Sequence, residues 1–513
     1  MTVDDRKWQT LPDGAFEELL QGSLPETLPD DVIHAITPWR QAVERILWGM
    51  ALTAVTLNFW GLNYILPFAG VILSLLGFRT LRGENGWFRA CWLTAAVRVI
   101  LVAGNLIVDA TIWQGQLSGI LMGMTAVSVL LLFVQFFCLW RGLGAVQKKM
   151  ELDCGSAVAG WLVVWYCVLC LLALVRFNGL LLPIVMLAVY GLILRSLWRL
   201  SGQLEEAGYG VSTTKVRVPD WLVAAAVTVL TAVGILLGLF LFGRYSMAWS
   251  PRADDYVAEA AEVRQELLDL GFPEVVLADL TEAELLSCRG ALRVITDETE
   301  LPIDRGREEV RQEGSLYHYY NVYEEYVRII GVGVELPGTR ERWRVFHHFE
   351  YLDGTTFYGT ECAQLWPAYV MNQGWSGGSD VTGRLLYDDG GITCTAPFVS
   401  LSGEAYTTNS IFWGESTQRA VFAEFSMPNH GSRHRGYLTY EILENTDGYL
   451  VDAWINLTHQ TTRLQYPVLT AKEKRTAYSG TSSGAFRTVQ DALQFSPAYI
   501  QMDGKFTVVG SGK

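Results

Sequence analysis

The sequence predicts an α-helical transmembrane bundle of about seven spans, followed by an extracytoplasmic α+β domain dominated by an antiparallel β-sandwich or jelly-roll-like fold. Three observations lead to this fold class. Half of the 513 residues are hydrophobic and 18% are charged, against about 25% charged in typical soluble proteins. The long apolar runs all precede residue 244. After that point the hydrophobic period shortens to the alternation that is typical of β-strands.

The net charge of −14 divides unevenly along the chain. Residues 1–244 carry 17 Lys and Arg against 16 Asp and Glu, whereas residues 245–513 carry 22 against 37. Proteins that bind nucleic acid need clustered Lys and Arg, so nucleic acid is excluded as a partner. Eight cysteines in 513 residues are too few for a secreted disulfide scaffold.

Seven apolar segments approach the length of roughly 20 residues that a helix needs to cross a bilayer. These predicted spans are 43–60, 62–79, 88–110, 117–140, 157–176, 179–199 and 221–243. Together they form a transmembrane domain at 38–244, with the lipid bilayer as its surroundings. No cleavable signal peptide precedes them, so the first span is expected to direct insertion.

The basic residues of the loops predict the orientation. Short cytoplasmic loops are enriched in Lys and Arg. Basic residues precede span 1 and follow spans 2, 4 and 6, whereas the other loops between spans carry Arg176 alone. This pattern predicts a plasma-membrane protein with a cytoplasmic N-terminus and residues 245–513 outside. The acidic tail at 1–37 is then cytoplasmic, either as a solvated leader or as a docking segment for a small cytoplasmic partner.

Span 3 contains a polar track. Arg98, Asn105 and Asp109 are spaced so that all three share one helical face. Ionisable groups inside a membrane often mark a path for an ion or solute. The alternative is that Arg98 is paired inside the bundle while Asp109 lies in headgroup water.

The outer half divides into three predicted segments. Residues 245–305 read as helical, with a capping box at Thr281 and Glu284 that begins a short helix. Residues 306–475 are predicted to form an antiparallel β domain. Residues 476–513 are expected to be loosely ordered, with one helical patch near Phe486–Phe495.

Turn sequences flanked by alternating strands predict three β-hairpins. Their turns contain Pro337-Gly338, Asp388 to Gly391, and Asn445 to Gly448. Many short strands joined by such turns are typical of a sandwich or jelly roll.

The best sequence candidate for a ligand-binding site is aromatic. Trp375 lies in a long glycine-rich loop with Asn372, and Trp413 lies in the same predicted domain. Exposed rings stack on sugars or peptides, so an envelope glycan or peptide is the expected ligand. The alternative is that these rings fill a core.

Two cysteines of the outer half, Cys362 and Cys394, are candidates for a disulfide in an oxidising exterior, with free buried thiols as the alternative. His347 and His348 adjoin on a strand and so point to opposite faces, which prevents both from binding one metal ion. The sequence predicts no metal site and no cofactor.

Motifs for nucleophilic catalysis are missing from the sequence. It contains no GxSxG elbow, no SxxK and no Walker motif, so an enzyme is not the favoured class. A membrane-bound hydrolase is the third hypothesis and has no identified nucleophile.

Several sequence motifs resemble those of a known group of proteins. Thr37-Pro-Trp-Arg40, Arg45-Ile-Leu-Trp-Gly49 and Leu267-Leu-Asp-Leu-Gly-Phe-Pro273 resemble those of an uncharacterised group of multi-pass membrane proteins from anaerobic Gram-positive bacteria. About a fifth of the chain carries the match. The resemblance implies a bacterial plasma membrane and adds no catalytic residue.

The function that the sequence favours is therefore a sensor or scaffold, in which an outer β domain binds a ligand or an envelope component. The alternative is a solute transporter or channel that uses the polar track of span 3.

Overall fold

The structure is a computed structural model. The residues that it describes are 38–54, 61–151, 158–175, 181–211, 218–253, 258–313, 316–367, 375–377, 380–410, 414–445, 451–476, 484–495, 499–502 and 505–508. The acidic tail at 1–37 and the candidate residues Asn372 and Trp413 lie outside this part of the chain.

The chain forms two compact units. The helical unit comprises residues up to 107 together with 118–233, and the β unit comprises residues 108–117 together with those from 234 onward.

Seven helices account for the apolar half of the chain. They are α1 (Pro38–Ala54), α2 (Leu62–Leu81), α3 (Gly86–Val108), α4 (Ser118–Lys149), α5 (Val158–Leu174), α6 (Leu181–Glu206) and α7 (Asp220–Leu241). Each coincides with one predicted span. Five of them, α2, α3, α4, α6 and α7, are long and apolar enough to cross a membrane, and this indicates a membrane location.

The predicted count of seven spans is not confirmed, because α1 and α5 are shorter. The described part of each has 17 residues, and the chain next to both lies outside the described residues. Helix α1 also carries three charged residues, Arg40, Glu44 and Arg45.

The surface of the helical unit is apolar. Ile100, Met122 and Leu230 are 70%, 72% and 71% exposed, and many other aliphatic side chains are exposed along α4, α6 and α7. Water-soluble proteins rarely expose so much contiguous apolar surface. Lipid tails would cover it without cost, which agrees with a membrane location.

Charged residues cluster at one end of the helical unit. The Asp220 carboxylate at the start of α7 accepts hydrogen bonds from Arg45 of α1 at 2.5 Å and from Arg79 of α2 at 3.0 Å. At the same end, Arg40 lies 3.8 Å from Glu205 near the end of α6. The first turns of α1 and α7 therefore lie beside the last turns of α2 and α6.

Small residues allow α1 and α2 to pack closely. A Cβ atom on Gly70 of α2 would lie 2.6 Å from the carbonyl oxygen of Gly49 in α1, and one on Gly77 would lie 2.6 Å from that of Ala42. Small residues spaced along a helix face permit this approach of backbones in membrane helix pairs. The two helices therefore form a closely packed pair.

We expect Gly70→Val to destabilise the helical unit by about 1–3 kcal/mol, because the new side chain would overlap the α1 backbone. The matched control is Gly123→Ala in α4, where no atom lies within 4 Å of an added Cβ. That control is expected to be neutral or slightly stabilising, since alanine favours helix more than glycine does. Unfolding of the purified protein in detergent, followed by circular dichroism, measures both changes. Equal stability of the two variants would show that the pair is not closely packed.

The β unit contains seventeen strands and four short helices among the described residues. The helices are α8 (Ala258–Asp269), α9 (Glu274–Leu277), α10 (Glu282–Leu286) and α11 (Ala471–Thr476). The strands are β1 (Ser250–Pro251), β2 (Arg293–Pro302), β3 (Arg307–Glu313), β4 (Leu316–Val322), β5 (Tyr326–Leu336), β6 (Arg342–Tyr351), β7 (Glu361–Pro367), β8 (Trp375–Gly377), β9 (Thr382–Asp389), β10 (Ile392–Ala396), β11 (Ser400–Ser410), β12 (Gly414–Phe425), β13 (Ser432–Glu444), β14 (Val451–Gln460), β15 (Phe486–Phe495), β16 (Tyr499–Met502) and β17 (Lys505–Val508).

These strands form two principal antiparallel sheets. The eight-stranded sheet has the order β1-β10-β9-β13-β6-β5-β2, with β8 also paired to β13, and the five-stranded sheet has the order β11-β12-β7-β14-β15. Strand β3 pairs with β4, and β16 with β17, as separate two-stranded sheets. The mostly antiparallel β domain predicted from the sequence is confirmed.

One hydrophobic core joins the two principal sheets. Phe349 of β6 stacks on Phe425 of β12 with ring centroids 5.7 Å apart, and Trp343 of β6 contacts Phe495 of β15 at 4.4 Å. Gly331 and Gly333 of β5 leave room for side chains of β15 on this face. The sheets therefore pack face to face as a sandwich.

The other face of the eight-stranded sheet is covered by α8, α9 and α10. Their apolar residues, including Leu267, Val276 and Leu285, pack with Val332, Phe346 and other side chains of the sheet. Alternate residues of β6 therefore face either the second sheet or the helical layer. This layer carries the side chains of the candidate site.

Two of the three predicted hairpins are correct. Strands β5 and β6 pair around Pro337-Gly338, and β9 pairs with β10. The third is wrong, because β13 lies in the eight-stranded sheet and β14 in the five-stranded sheet. A turn motif between two strands does not distinguish a hairpin from a crossing between sheets, and here the chain crosses.

The predicted boundaries of the outer segments also require correction. Strand β2 begins at Arg293, inside the segment predicted as helical up to residue 305. Phe486–Phe495 is neither helical nor loosely ordered, because it is the strand β15, paired with β14 along its whole length. Burial of Leu493 and Phe495 against the first sheet favours the strand over the local helical pattern.

Candidate functional site

A polar pocket lies where the helical layer meets the eight-stranded sheet. It has a volume of about 480 Å³ and is lined by α10 and by strands β6, β9, β10 and β13. Six of its polar lining residues are Thr281, Glu284, Arg344, Thr382, Arg384 and Tyr437. We call it the arginine pocket.

Arg344 is the most unusual residue of the arginine pocket. Its side chain is 8% exposed, and it makes no hydrogen bond or ion pair with any residue that the structure describes; its Nε atom is also fully buried. Buried charges are normally paired, because removing a charge from water is costly. Arg344 is therefore a largely buried cation without an ion-pair partner among the described residues.

The groups nearest to Arg344 do not neutralise it. Glu441 lies opposite Arg344 in the β13–β6 register, but its carboxylate forms an ion pair with Arg342 at 3.4 Å. Cys288 is also close to Arg344. Burial raises the pKa of Cys288 to about 12, even though the charge of Arg344 acts to lower it. The thiol therefore stays neutral near pH 7.

Glu284 contributes a buried carboxylate to the arginine pocket, and its charge is opposite to that of Arg344. It closes the capping box of α10, in which it accepts from the Thr281 backbone at 2.9 Å. The same oxygen, Oε2, also accepts from the hydroxyl groups of Thr281 and Tyr437. Its other oxygen, Oε1, accepts from Thr382 at 3.1 Å. All of these donors are neutral, and no described Lys, Arg or His lies within ion-pairing distance of Glu284.

Arg384 adds a second guanidinium to the arginine pocket. Its Nε donates to the backbone oxygen of Asp279 at 3.2 Å, and one Nη also donates to that oxygen. Arg384 is also hydrogen-bonded to the Tyr437 hydroxyl, so both of its partners are neutral groups. Within the described chain, the pocket presents two guanidinium groups without a bound carboxylate and one carboxylate without a bound cation.

A fully paired charge network lies beside the arginine pocket. The buried Asp279 carboxylate accepts from Arg435 Nε at 2.8 Å and contacts His348 Nε2 at 2.9 Å. Burial alone would raise the pKa of Asp279, but the hydrogen bond and charge of His348, together with Arg435, outweigh it and lower the pKa to about 2. Arg435 also donates to Asp388 at 3.1 Å. This network joins the helical layer to the sheet.

A second buried cluster occupies the five-stranded sheet. His459 Nδ1 lies 2.9 Å from Glu361, and its Nε2 is 3.8 Å from Glu325. Both His459 and Glu361 are fully buried. Burial alone would lower the pKa of His459, but the charges of Glu361, Glu325 and Asp304 and the bond to Glu361 outweigh it and raise the pKa. The cluster has the character of a buried ion pair.

This raised pKa predicts how the stability of the β unit depends on pH. A histidine whose folded pKa exceeds the unfolded value of about 6.5 stabilises the folded state fully below that value, and this contribution is lost as the pH rises through the folded pKa. We expect the difference in unfolding free energy between the parent protein and His459→Gln to be largest near pH 6 and to shrink as the pH rises above 6.5. Denaturant unfolding at a series of pH values measures it, and a difference that grows with pH would contradict the pairing.

The structure gives the position of only some sequence-predicted ligand residues. The backbone of Trp375 lies in β8 and pairs with Glu444 of β13. Asn372 and Trp413 lie outside the described residues, so the predicted aromatic loop stays a prediction.

The structure places the three residues of the predicted polar track along α3 and directly after its end, and their role as a track stays a prediction. Arg98, within α3, donates to Gln135 of α4 at 3.1 Å. The Asn105 Oδ1 atom is buried without a hydrogen-bond partner in the described chain. Asp109 follows the end of α3 and belongs to the β unit, where its backbone oxygen accepts from Val468 at 2.7 Å.

Cys362 and Cys394 are both free thiols, so the predicted disulfide is not formed. Cys362 lies in β7 of the five-stranded sheet and packs under α11, whereas Cys394 lies in β10 of the other sheet. A disulfide needs Cα atoms within about 7 Å, and facing sheets are separated by about 10 Å. Burial raises the pKa of Cys362 well above its usual range.

The adjacent histidines point to opposite faces of β6. His347 lies near Tyr440 between the two sheets, where burial lowers its pKa to about 3. His348 faces the helical layer and contacts Asp279. The described residues contain no group of three His, Cys, Asp or Glu side chains arranged to hold a metal ion.

Sequence reasoning did not identify Arg344 as a site residue. Arg344 alternates with Trp343 and Val345 on a strand, and this pattern is also typical of an exposed arginine. The capping box at Thr281 and Glu284 was visible in the sequence, but only as a helix start. A basic residue in the centre of a strand that is buried on both faces is the signal that would have indicated Arg344.

The fold and the arginine pocket thus define a protein with a membrane-type helical unit and a β-sandwich that carries a charged pocket. No protein-family model matches the chain, and no curated protein is similar to it in sequence. The function therefore rests on the site.

Proposed function

We propose that the chain is a bacterial plasma-membrane protein whose β unit lies outside the cell and binds an anionic ligand in the arginine pocket, as a sensor or scaffold. The observation that carries this proposal is Arg344, a largely buried guanidinium without an ion-pair partner among the described residues, which lines a pocket of about 480 Å³. A bound carboxylate or phosphate would accept hydrogen bonds from it in the planar geometry that arginine favours.

The proposed orientation is supported by charge. Basic residues that the positive-inside pattern assigns to the cytoplasm, such as Arg45 and Arg79, meet at one end of the helical unit. Residues 108–117, which include the loop 111–116 predicted to lie outside, belong to the β unit. In this arrangement the N-terminus is cytoplasmic and the β unit is extracytoplasmic.

Labelling of intact cells tests the orientation. A cysteine introduced for Glu274, whose side chain is 75% exposed, is expected to react with a membrane-impermeant maleimide. A cysteine introduced for Lys148, near the end of α4, is expected to react only after the cells are opened. The reverse pattern would contradict the orientation.

Ligand binding is tested on the full chain in detergent. Propionate and inorganic phosphate serve as probes for the two anion classes, and isothermal titration calorimetry measures their binding. We expect at least one of them to bind, and Arg344→Gln to weaken its binding by roughly 30-fold or more, since a hydrogen-bonded charge contact contributes about 2–5 kcal/mol. The control is Arg264→Gln, at a surface arginine of α8, which should leave binding unchanged. Binding of neither anion, or equal binding by both variants, would overturn the proposal.

A second candidate function is solute transport through the helical unit. Two observations favour it: the Nε atom of Arg98 and the Oδ1 atom of Asn105 are buried without hydrogen-bond partners in the described helices. Unsatisfied polar atoms at membrane depth are typical of solute pathways. If this unit transports an anion, Arg98→Gln will abolish flux into proteoliposomes, and flux equal to that of the parent protein would exclude a role for Arg98.

A further inference from the structure

The charges of the arginine pocket have both signs. Arg344 is 8% exposed and Glu284 is 7% exposed, and neither forms an ion pair with a described residue. A purely anionic ligand would pair with Arg344 and balance the excess of two guanidinium groups over one carboxylate, but it would leave Glu284 without a direct ion-pair partner in the described chain. Since buried charges are costly unless paired, the preferred ligand should bring a positive charge as well as a negative one.

The Glu284 carboxylate has capacity for such a cation. Its Oε2 atom accepts three hydrogen bonds, from the backbone and side chain of Thr281 and from Tyr437. Its Oε1 atom accepts one, from Thr382. A carboxylate oxygen offers about two acceptor sites, so Oε1 retains one for an ammonium group.

The capping role of Glu284 explains its position but leaves its charge unbalanced. The capping box orients the side chain through neutral donors. Glutamine serves as well as glutamate at this position of a capping box, so the cap does not require a negative charge. The charge is thus available for recognition.

From these observations we infer that the arginine pocket binds a zwitterionic ligand of the α-amino acid or short-peptide class, with its carboxylate on Arg344 and its ammonium group on Glu284. The inference rests on the proposed function, because it assigns both ends of a ligand to the same pocket. The volume of about 480 Å³ lies within the range of small-molecule sites. The threonine hydroxyls of the lining, at Thr281, Thr382 and Thr395, are suited to polar atoms between the two charges.

The test compares four probes on the full chain in detergent by calorimetry. They are alanine and the dipeptide alanyl-alanine, which carry both charges, and propionate and ethylamine, which carry one each. We expect one of the zwitterions to bind at least tenfold more tightly than either singly charged probe. Glu284→Gln should remove this preference by weakening zwitterion binding and strengthening propionate binding, and Arg344→Gln should weaken the binding of all carboxylate-containing probes.

Glu282→Gln is the matched control, since Glu282 lies in the same short helix but does not line the pocket. It should preserve the preference for zwitterions. If propionate binds as tightly as alanine and alanyl-alanine, the zwitterion inference is wrong while anion binding stands. If neither zwitterions nor anions bind to the folded protein, both proposals fail. Retention of the preference in Glu284→Gln would also overturn the assignment of the ammonium site.

Discussion

Substitution of Arg344 by methionine is expected to raise the unfolding free energy of the ligand-free β unit by about 1–3 kcal/mol. Arg344 is buried with no ion pair in the described chain, so its desolvation is uncompensated when the pocket is empty. Methionine fills similar space without a charge, and replacement of buried charged groups by apolar residues is often stabilising. Denaturant unfolding followed by tryptophan fluorescence measures the change.

Arg435→Met is the matched control for this prediction. Arg435 is also a buried arginine of the same sheet, but it is bonded to Asp279 and Asp388. Its removal leaves a buried carboxylate without its cation and should destabilise the β unit by about 3–5 kcal/mol. Opposite signs for the two variants would show that Arg344 is kept for a ligand. A similar loss of stability in both would show that Arg344 has a structural role.

Asp279→Asn is expected to lower the unfolding free energy of the β unit by about 3–5 kcal/mol. Asp279 is 2% exposed and bonds to both Arg435 and His348, so the neutral amide leaves the buried Arg435 without its closest anion. Thermal and denaturant unfolding measure the loss. Asp269→Asn on the surface of α8 should change stability by less than about 0.5 kcal/mol.

A double variant tests the cause of this loss. If the unpaired cation is responsible, Asp279→Asn combined with Arg435→Met will be less destabilising than the sum of the two single changes, because each removes the partner that the other leaves unpaired. Additive losses would mean that Asp279 acts through something other than Arg435.

The segments of the helical unit could be predicted from sequence because lipid exposure requires continuous apolar runs. Their role as spans was less certain, since the described parts of α1 and α5 have only 17 residues each. The strands were harder to predict from the sequence than the helices of the helical unit. Strand β15 alternates weakly between polar and apolar residues, and its position became evident only from contacts such as Phe495 with Trp343.

The candidate site was less predictable than the fold. Glu284 and Arg344 are 60 positions apart in the sequence, and their common pocket depends on how α10 packs on β6. Neither residue belongs to a motif for ligand binding. What distinguishes Arg344 is a missing partner, and a missing partner can be recognised only when the neighbours are known.

The position of β15 has a consequence for biosynthesis. Strand β15 completes the five-stranded sheet and contributes Leu493 and Phe495 to the core against β5 and β6, strands that end at least 135 positions before it begins. The sandwich cannot close until residue 495 has left the ribosome. During that interval the facing surfaces of β5 and β6 are uncovered, and exposed strands of this kind are prone to aggregate. The β unit is therefore most exposed to aggregation in the interval before β15 is synthesised.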